Sequence, residues 1–105
     1  MTQYTILFWQ DIPSVVNASK GRNRAKIQLS ARFQELIDTV AMRKGLFGTD
    51  EYLELWRKGA PEVRDGTPQE VVDAVAAEIE ADFDAIESRS MAQAAQSRRD
   101  AAAGE

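Results

Sequence analysis

Residues 20–44 read KGRNRAKIQLSARFQELIDTVAMRK, and the fold turns on where this stretch changes its hydrophobic period. Over residues 24–29, Ala25, Ile27 and Leu29 alternate with Arg24, Lys26 and Gln28, the two-residue period of a half-exposed strand. Beyond Ser30 the period lengthens. Phe33, Leu36, Ile37, Val40 and Ala41 recur three and four apart, which places them on one helical face. Ser30 is a residue type suited to cap that helix, so the spacing predicts a strand over 24–29 and a helix over 31–44. A helix running straight through from Arg22 is the competing reading. It accommodates Lys26, Leu29 and Phe33 but leaves Ile27 off the apolar face.

The helix has a stop as well as a start. Gly45 suits the left-handed residue after the last turn, with Leu46 folding back onto Val40 or Ala41. Arg43 and Lys44 complement the negative helix end.

Upstream, residues 3–10 (QYTILFWQ) are rich in aromatic and β-branched types and predict a strand with two apolar faces, placed centrally. Asp11, Ile12, Pro13 and Ser14 supply turn chemistry, with Pro13 ending the strand. Residues 14–19 then form a short antiparallel second strand, and residues 20–23 a turn in which Gly21 or Asn23 takes positive φ.

Downstream, Thr49, Asp50 and Glu51 open a short helix containing Tyr52, Leu53 and Trp56, although residues 52–56 also fit an edge strand. Residues 58–66 read as a loop. Thr67, Pro68 and Glu70 make a capping box with proline in the first turn. Val72, Val75, Ala76, Ile79, Phe83 and Ile86 continue one apolar face, predicting a single helix over 68–87. After residue 88 large apolar residues stop except for Met91, so residues 89–105 are expected to fray or remain disordered and to bury nothing. The fold class is therefore α+β. A small, mainly antiparallel sheet over residues 3–29 carries two main helices on one face, within a single domain over 1–88.

Composition narrows the chemistry. With 105 residues and neither histidine nor cysteine, the chain lacks a disulfide framework, thiolate and imidazole metal ligands, and every Ser–His or Cys–His nucleophile pair. The sequence argues against an enzyme that works alone, and no catalytic residue, metal ligand or cofactor is assigned. The first residues lack a basic segment before a short apolar core, and no run is long enough to span a bilayer. The cytoplasm is the expected compartment, without membrane association.

The net charge of −4 hides an asymmetry: residues 14–34 hold Lys20, Arg22, Arg24, Lys26 and Arg32 and no acid. Arg22, Arg24 and Lys26 at alternating positions would project from one strand face towards an acidic protein, a second copy or a phosphate-bearing ligand. An edge strand made unattractive to other strands by solvated Lys and Arg is the plainer reading. Nucleic acid fits less well, because no helix-turn-helix or RNA-stacking motif accompanies the cluster and the chain is acidic.

Tyr4, Trp9, Asp38, Tyr52 and Trp56, with Phe47, are candidates for a ligand recess, against the plainer role of core packing. Arg32 and Asp38 are read as an ion pair ordering the helix start rather than as a catalytic dyad. The acidic stripe of Asp73, Glu80, Asp84 and Glu87 lacks the ordered spacing of a calcium loop and reads as a solvated face.

A pattern across residues 4–56 resembles the small bacterial virulence factor domain family. It is carried by Tyr4, Thr5, Ile6 and Leu7 with Trp9, then Asp11, Ile12 and Pro13. Gly21, Arg22, Arg24, Ala25, Lys26, Leu29, Arg32, Phe33, Gln34, Ile37 and Asp38 continue it. Ala41, Met42, Gly45, Leu46, Asp50, Tyr52, Leu53, Trp56 and Arg57 complete it. One departure is Leu36, where the family pattern has alanine before Ile-Asp. The family name describes a phenotype and brings no catalytic residues. The resemblance implies an accessory subunit associated with folate- and corrinoid-linked one-carbon metabolism, and the basic strand face suggests that such a module docks to a protein partner or to itself.

Overall fold

The chain reverses direction over two residues at Gly21 and Arg22, where Gly21 adopts a φ of 61° that glycine alone takes without strain. Lys20 pairs with Asn23 across this turn, joining β2 (Ile12–Lys20) to β3 (Asn23–Gln28) in antiparallel register. The strand reading thus holds over residues 24–28, with Leu29 just past the strand end and Asn23 in the strand rather than in the turn. The computed structural model describes residues 1–46 and 48–103, with side chains of 96–103 excepted. Phe47 and residues 104–105 lie outside the described residues.

β1 (Thr2–Trp9) lies beside β2, also antiparallel. The turn between them is tighter than the sequence suggests. It consists of Gln10 and Asp11, and Pro13 lies inside β2 rather than ending β1. Leu7 pairs with Val15 but Phe8 with Pro13, so Ser14 is an extra residue in a β-bulge. A bulge is one of the few sheet positions where a residue without an N–H is tolerated. Gln10 takes the left-handed conformation at φ 55°, which costs a non-glycine residue about 1–2 kcal/mol. Three bonds hold it there. Its N–H donates to the Leu55 carbonyl (2.9 Å), its side-chain oxygen accepts from Lys44 Nζ (2.9 Å), and its carbonyl accepts from Arg57 Nε (3.0 Å).

Residues 50–66 depart most from expectation. α2 (Asp50–Glu54), capped by Thr49, is shorter than predicted, and Trp56 lies in β4 (Trp56–Lys58). The helix reading holds for Asp50–Glu54, and the edge-strand reading of 52–56 holds only at Trp56. The expected loop contains β5 (Glu62–Arg64). β4 pairs with the end of β1 and β5 with its beginning, so the two short strands lie in tandem along one side of β1. Gly59 bridges the gap by donating its N–H to the Ile6 carbonyl at 2.7 Å. A Cβ at this position would stand 2.8 Å from the Phe8 ring, which leaves glycine as the residue that fits. The strand order is β3–β2–β1–β4, with β5 also on β1, and every pairing is antiparallel.

α1 (Ala31–Arg43) buries Phe33, Leu36, Ile37, Val40 and Ala41, the five residues of the predicted face. Its end is the expected Schellman stop: Leu46 N–H reaches the Ala41 carbonyl and Gly45 N–H the Met42 carbonyl, with Gly45 at φ 70°. α3 (Pro68–Ala81) begins with the complete Thr67–Glu70 capping box. Its Val71, Val72, Val75 and Ala76 are buried, and it lies over β1, β2 and β3.

The single helix predicted over 68–87 is interrupted at Asp82, after which α4 (Phe83–Ala103) begins. Phe83 meets Phe33 of α1 edge-to-face with ring centroids 5.0 Å apart. α4 packs on α1, and Ser90 and Ala94 are buried. The expectation that nothing beyond residue 88 is buried is therefore wrong. Small side chains carry no hydrophobic payload in sequence, yet they set how closely two helices approach.

Candidate docking face

The helices cover one face of the sheet. Tyr4 and Ile6 on β1, Val16 and Ala18 on β2, and Ala25 and Ile27 on β3 all pack into or against the core. Alternation sends their neighbours to the opposite face. There the register sets Gln3, Ser19 and Arg24 in one row across three strands, and Thr5, Asn17 and Lys26 in the next. Lys58 of β4 joins from the other side of β1. These residues line a shallow depression of about 560 Å³ in which the charged side chains are Arg24, Lys26 and Lys58 and no carboxylate takes part. The surface is thus a polar floor of hydroxyl and amide groups with cations on both flanks.

Only part of the predicted basic cluster reaches this face. Arg24 and Lys26 do, whereas Arg22 occupies the hairpin turn and Lys20 borders a neighbouring depression against the start of α3. Arg32 is elsewhere, on the helix layer. Its guanidinium binds the Glu80 carboxylate at 3.1 Å and the Glu80 carbonyl at 2.6 Å, and its carbon lies 4.3 Å from the Phe83 ring centroid. The Arg32–Asp38 pair read from sequence does not form. Asp38 accepts instead from Gln34 Nε2 at 3.1 Å, one turn back on the same helix. Arg32 takes the last turn of α3 because a helix C-terminus offers a free carbonyl with negative potential. Lys58, a long way off in sequence, is the cation that the local pattern missed. It joins the face only through β4, whose last residue falls in the stretch 58–66 that the sequence presents as loop.

The aromatic candidates are not gathered into one recess. Trp9 is fully buried, its Nε1 donates to the Tyr52 carbonyl at 2.9 Å, and its ring lies 5.5 Å from that of Tyr52. Tyr52 and Trp56 are partly buried against the same core. Tyr4 is at the other end of β1, where its hydroxyl donates to Glu62 at 2.7 Å. That hydrogen bond, with burial and the Glu62 charge adding to it, raises the phenol above its ordinary value.

Glu80 forms the junction of three elements. Its carboxylate accepts from the Ser30 N–H (2.7 Å), the Ser30 hydroxyl (2.8 Å) and Arg32. Ser30 therefore stands at the predicted N-cap position, but its hydroxyl is given to Glu80 and makes no cap bond within α1. Burial pushes the Glu80 carboxyl upward, but the bonds from Ser30 and Arg32 together hold it below its ordinary 4.5. Because the folded-state value is the lower one, this stabilisation is present above pH 4.5 and is lost as pH falls through the folded-state value. The melting-temperature difference between the wild type and Glu80→Gln is accordingly expected to be largest near neutral pH. It should shrink on acidification, as read by thermal denaturation across a pH series.

Among the described residues no helix is long and apolar enough to cross a membrane, and no group of three acidic, His or Cys side chains could hold a metal ion. A family model described as Virulence factor matches residues 7–91. The chain belongs to this family. The match runs past the stretch that carries the resemblance in sequence, through β4, β5 and α3 and into α4. The virulence factor domain thus includes the residues that bring Lys58 to the open face and Glu80 to Arg32. No curated protein and no solved structure matches the chain.

Proposed function

We propose that this virulence factor domain is a non-enzymatic accessory module of the cytoplasm, docking an acidic protein surface on the open face of its sheet. One observation carries the reading: Arg24, Lys26 and Lys58 surround a floor of Thr5, Asn17 and Ser19 with no carboxylate in the lining. These cations are set by strand register rather than scattered, so their spacing is fixed before a partner arrives. Arg32 and Arg57 are spent internally, on Glu80 and on the Gln10–Asp11 turn, which leaves the three face cations for an external anion.

The test is co-purification from the native host with the wild type and with Arg24→Glu/Lys26→Glu. Both positions are exposed, so the fold should survive. Capture should fall by about ten-fold or more, with a shallower salt dependence in what remains. Capture unchanged at the same salt sensitivity would sink the proposal.

A further inference from the structure

We propose that the partner docks by strand addition: an extended acidic segment pairs antiparallel with the outer edge of β3, its carboxylates on alternate residues. This inference rests on the docking reading above and specifies its geometry.

β3 pairs with β2 on one side, and among the described residues no strand pairs on its other side. The register determines which backbone groups lie along that open edge. A two-residue hairpin closes on a hydrogen-bonded pair, here Lys20 with Asn23, and such pairs then alternate along the ladder. Asn23, Ala25 and Ile27 therefore turn their N–H and C=O groups towards β2. Arg24, Lys26 and Gln28 turn theirs outward. The same alternation, carried through β2, points the Ile6 carbonyl away from β2, where the Gly59 N–H does reach it.

The residues that offer free backbone groups are thus the ones whose side chains supply positive charge to the open face. An incoming antiparallel strand sets its directly opposite residues on the same face as Arg24 and Lys26. Carboxylates at every second residue would meet both cations while their own N–H and C=O groups complete the ladder. At the hairpin end of β3 a depression is bordered by Lys20, Gly21, Asn23, Arg24 and Ala25 and by Thr67, Pro68 and Gln69 at the start of α3. A second copy of the chain is disfavoured as the occupant. Two β3 edges paired antiparallel would bring Arg24 and Lys26 against their own kind, and like charges opposite one another repel.

The probes are short synthetic peptides of alternating glutamate and threonine, measured by fluorescence anisotropy against the full chain. One version is N-methylated on its glutamates, a second on its threonines. Both keep the same charge and number of methyl groups. Residues opposite Arg24 and Lys26 must donate their N–H to β3, so methylated glutamates should weaken binding about ten-fold and methylated threonines should leave it nearly unchanged. Equal affinity for the two versions, each still lost on Arg24→Glu/Lys26→Glu, overturns strand addition and leaves docking on the face intact. Absence of binding by every acidic peptide, together with partner capture insensitive to that charge reversal, overturns both.

Discussion

Replacing Trp9 by alanine is expected to cost about 3–5 kcal/mol, the range for emptying a large buried aromatic site. Trp9 is the largest of the fully buried side chains and sits where β1, the α2 segment and β4 converge. Three losses coincide in the variant. The indole no longer fills its site, its tilted ring contact with Tyr52 disappears, and its Nε1 no longer donates to the Tyr52 carbonyl. A domain of this size has about 5–15 kcal/mol in total, so the substitution removes a large fraction of it. Urea titration by circular dichroism should show the midpoint falling steeply with an unchanged slope. Trp9→Phe, which keeps an aromatic ring but not the full indole volume or the donor, should lose less than the alanine variant. A midpoint within experimental scatter of wild type would mean that Trp9 does not anchor this corner.

The second large effect is expected at Phe83→Ala, at about 3 kcal/mol. Phe83 opens α4, lies edge-to-face against Phe33 and forms the platform beneath the Arg32 guanidinium. Its removal should loosen the attachment of α4 to α1 before it affects the sheet. Limited proteolysis should therefore cut first within α4 in the variant, with β1 to β3 resistant. Phe83→Leu retains most of the buried area and gives up the ring geometry, worth about 0.5–1.5 kcal/mol, so it should fall between the two. Proteolysis that starts in the sheet instead would overturn this assignment of Phe83 to the helix junction.

The elements legible from sequence are those whose evidence is local. The face of α1, the Schellman stop at Gly45, the capping box at Thr67 and the β3 alternation each need fewer than a dozen neighbouring residues to be recognised. What escaped was decided at a distance. β4 and β5 are three residues each, too short to show a period, and exist because β1 offers them an edge. The interruption at Asp82 has no proline or glycine to announce it, and Phe83 just beyond it meets Phe33 across the fold. The proposed docking face divided in the same way. Arg24 and Lys26 could be paired from their spacing, but Lys58 required β4, and Arg32 was withdrawn from the cluster by Glu80, 48 positions later. Charge proximity in sequence overstated three members of the cluster, Lys20, Arg22 and Arg32, and omitted Lys58.

The tandem placement of β4 and β5 has a consequence for the internal motion of the sheet. β1 is gripped on one side by a long ladder to β2 and on the other by two three-residue strands joined at Gly59. Short pairings open more readily than long ones, and their opening need not disturb the rest of the molecule. Along β1, the amides of Thr5 and Leu7 are sheltered by the long ladder, and that of Tyr4 by β5. Adjacent amides of one central strand therefore exchange with solvent through different events, one close to global unfolding and the other a local peeling of a single edge.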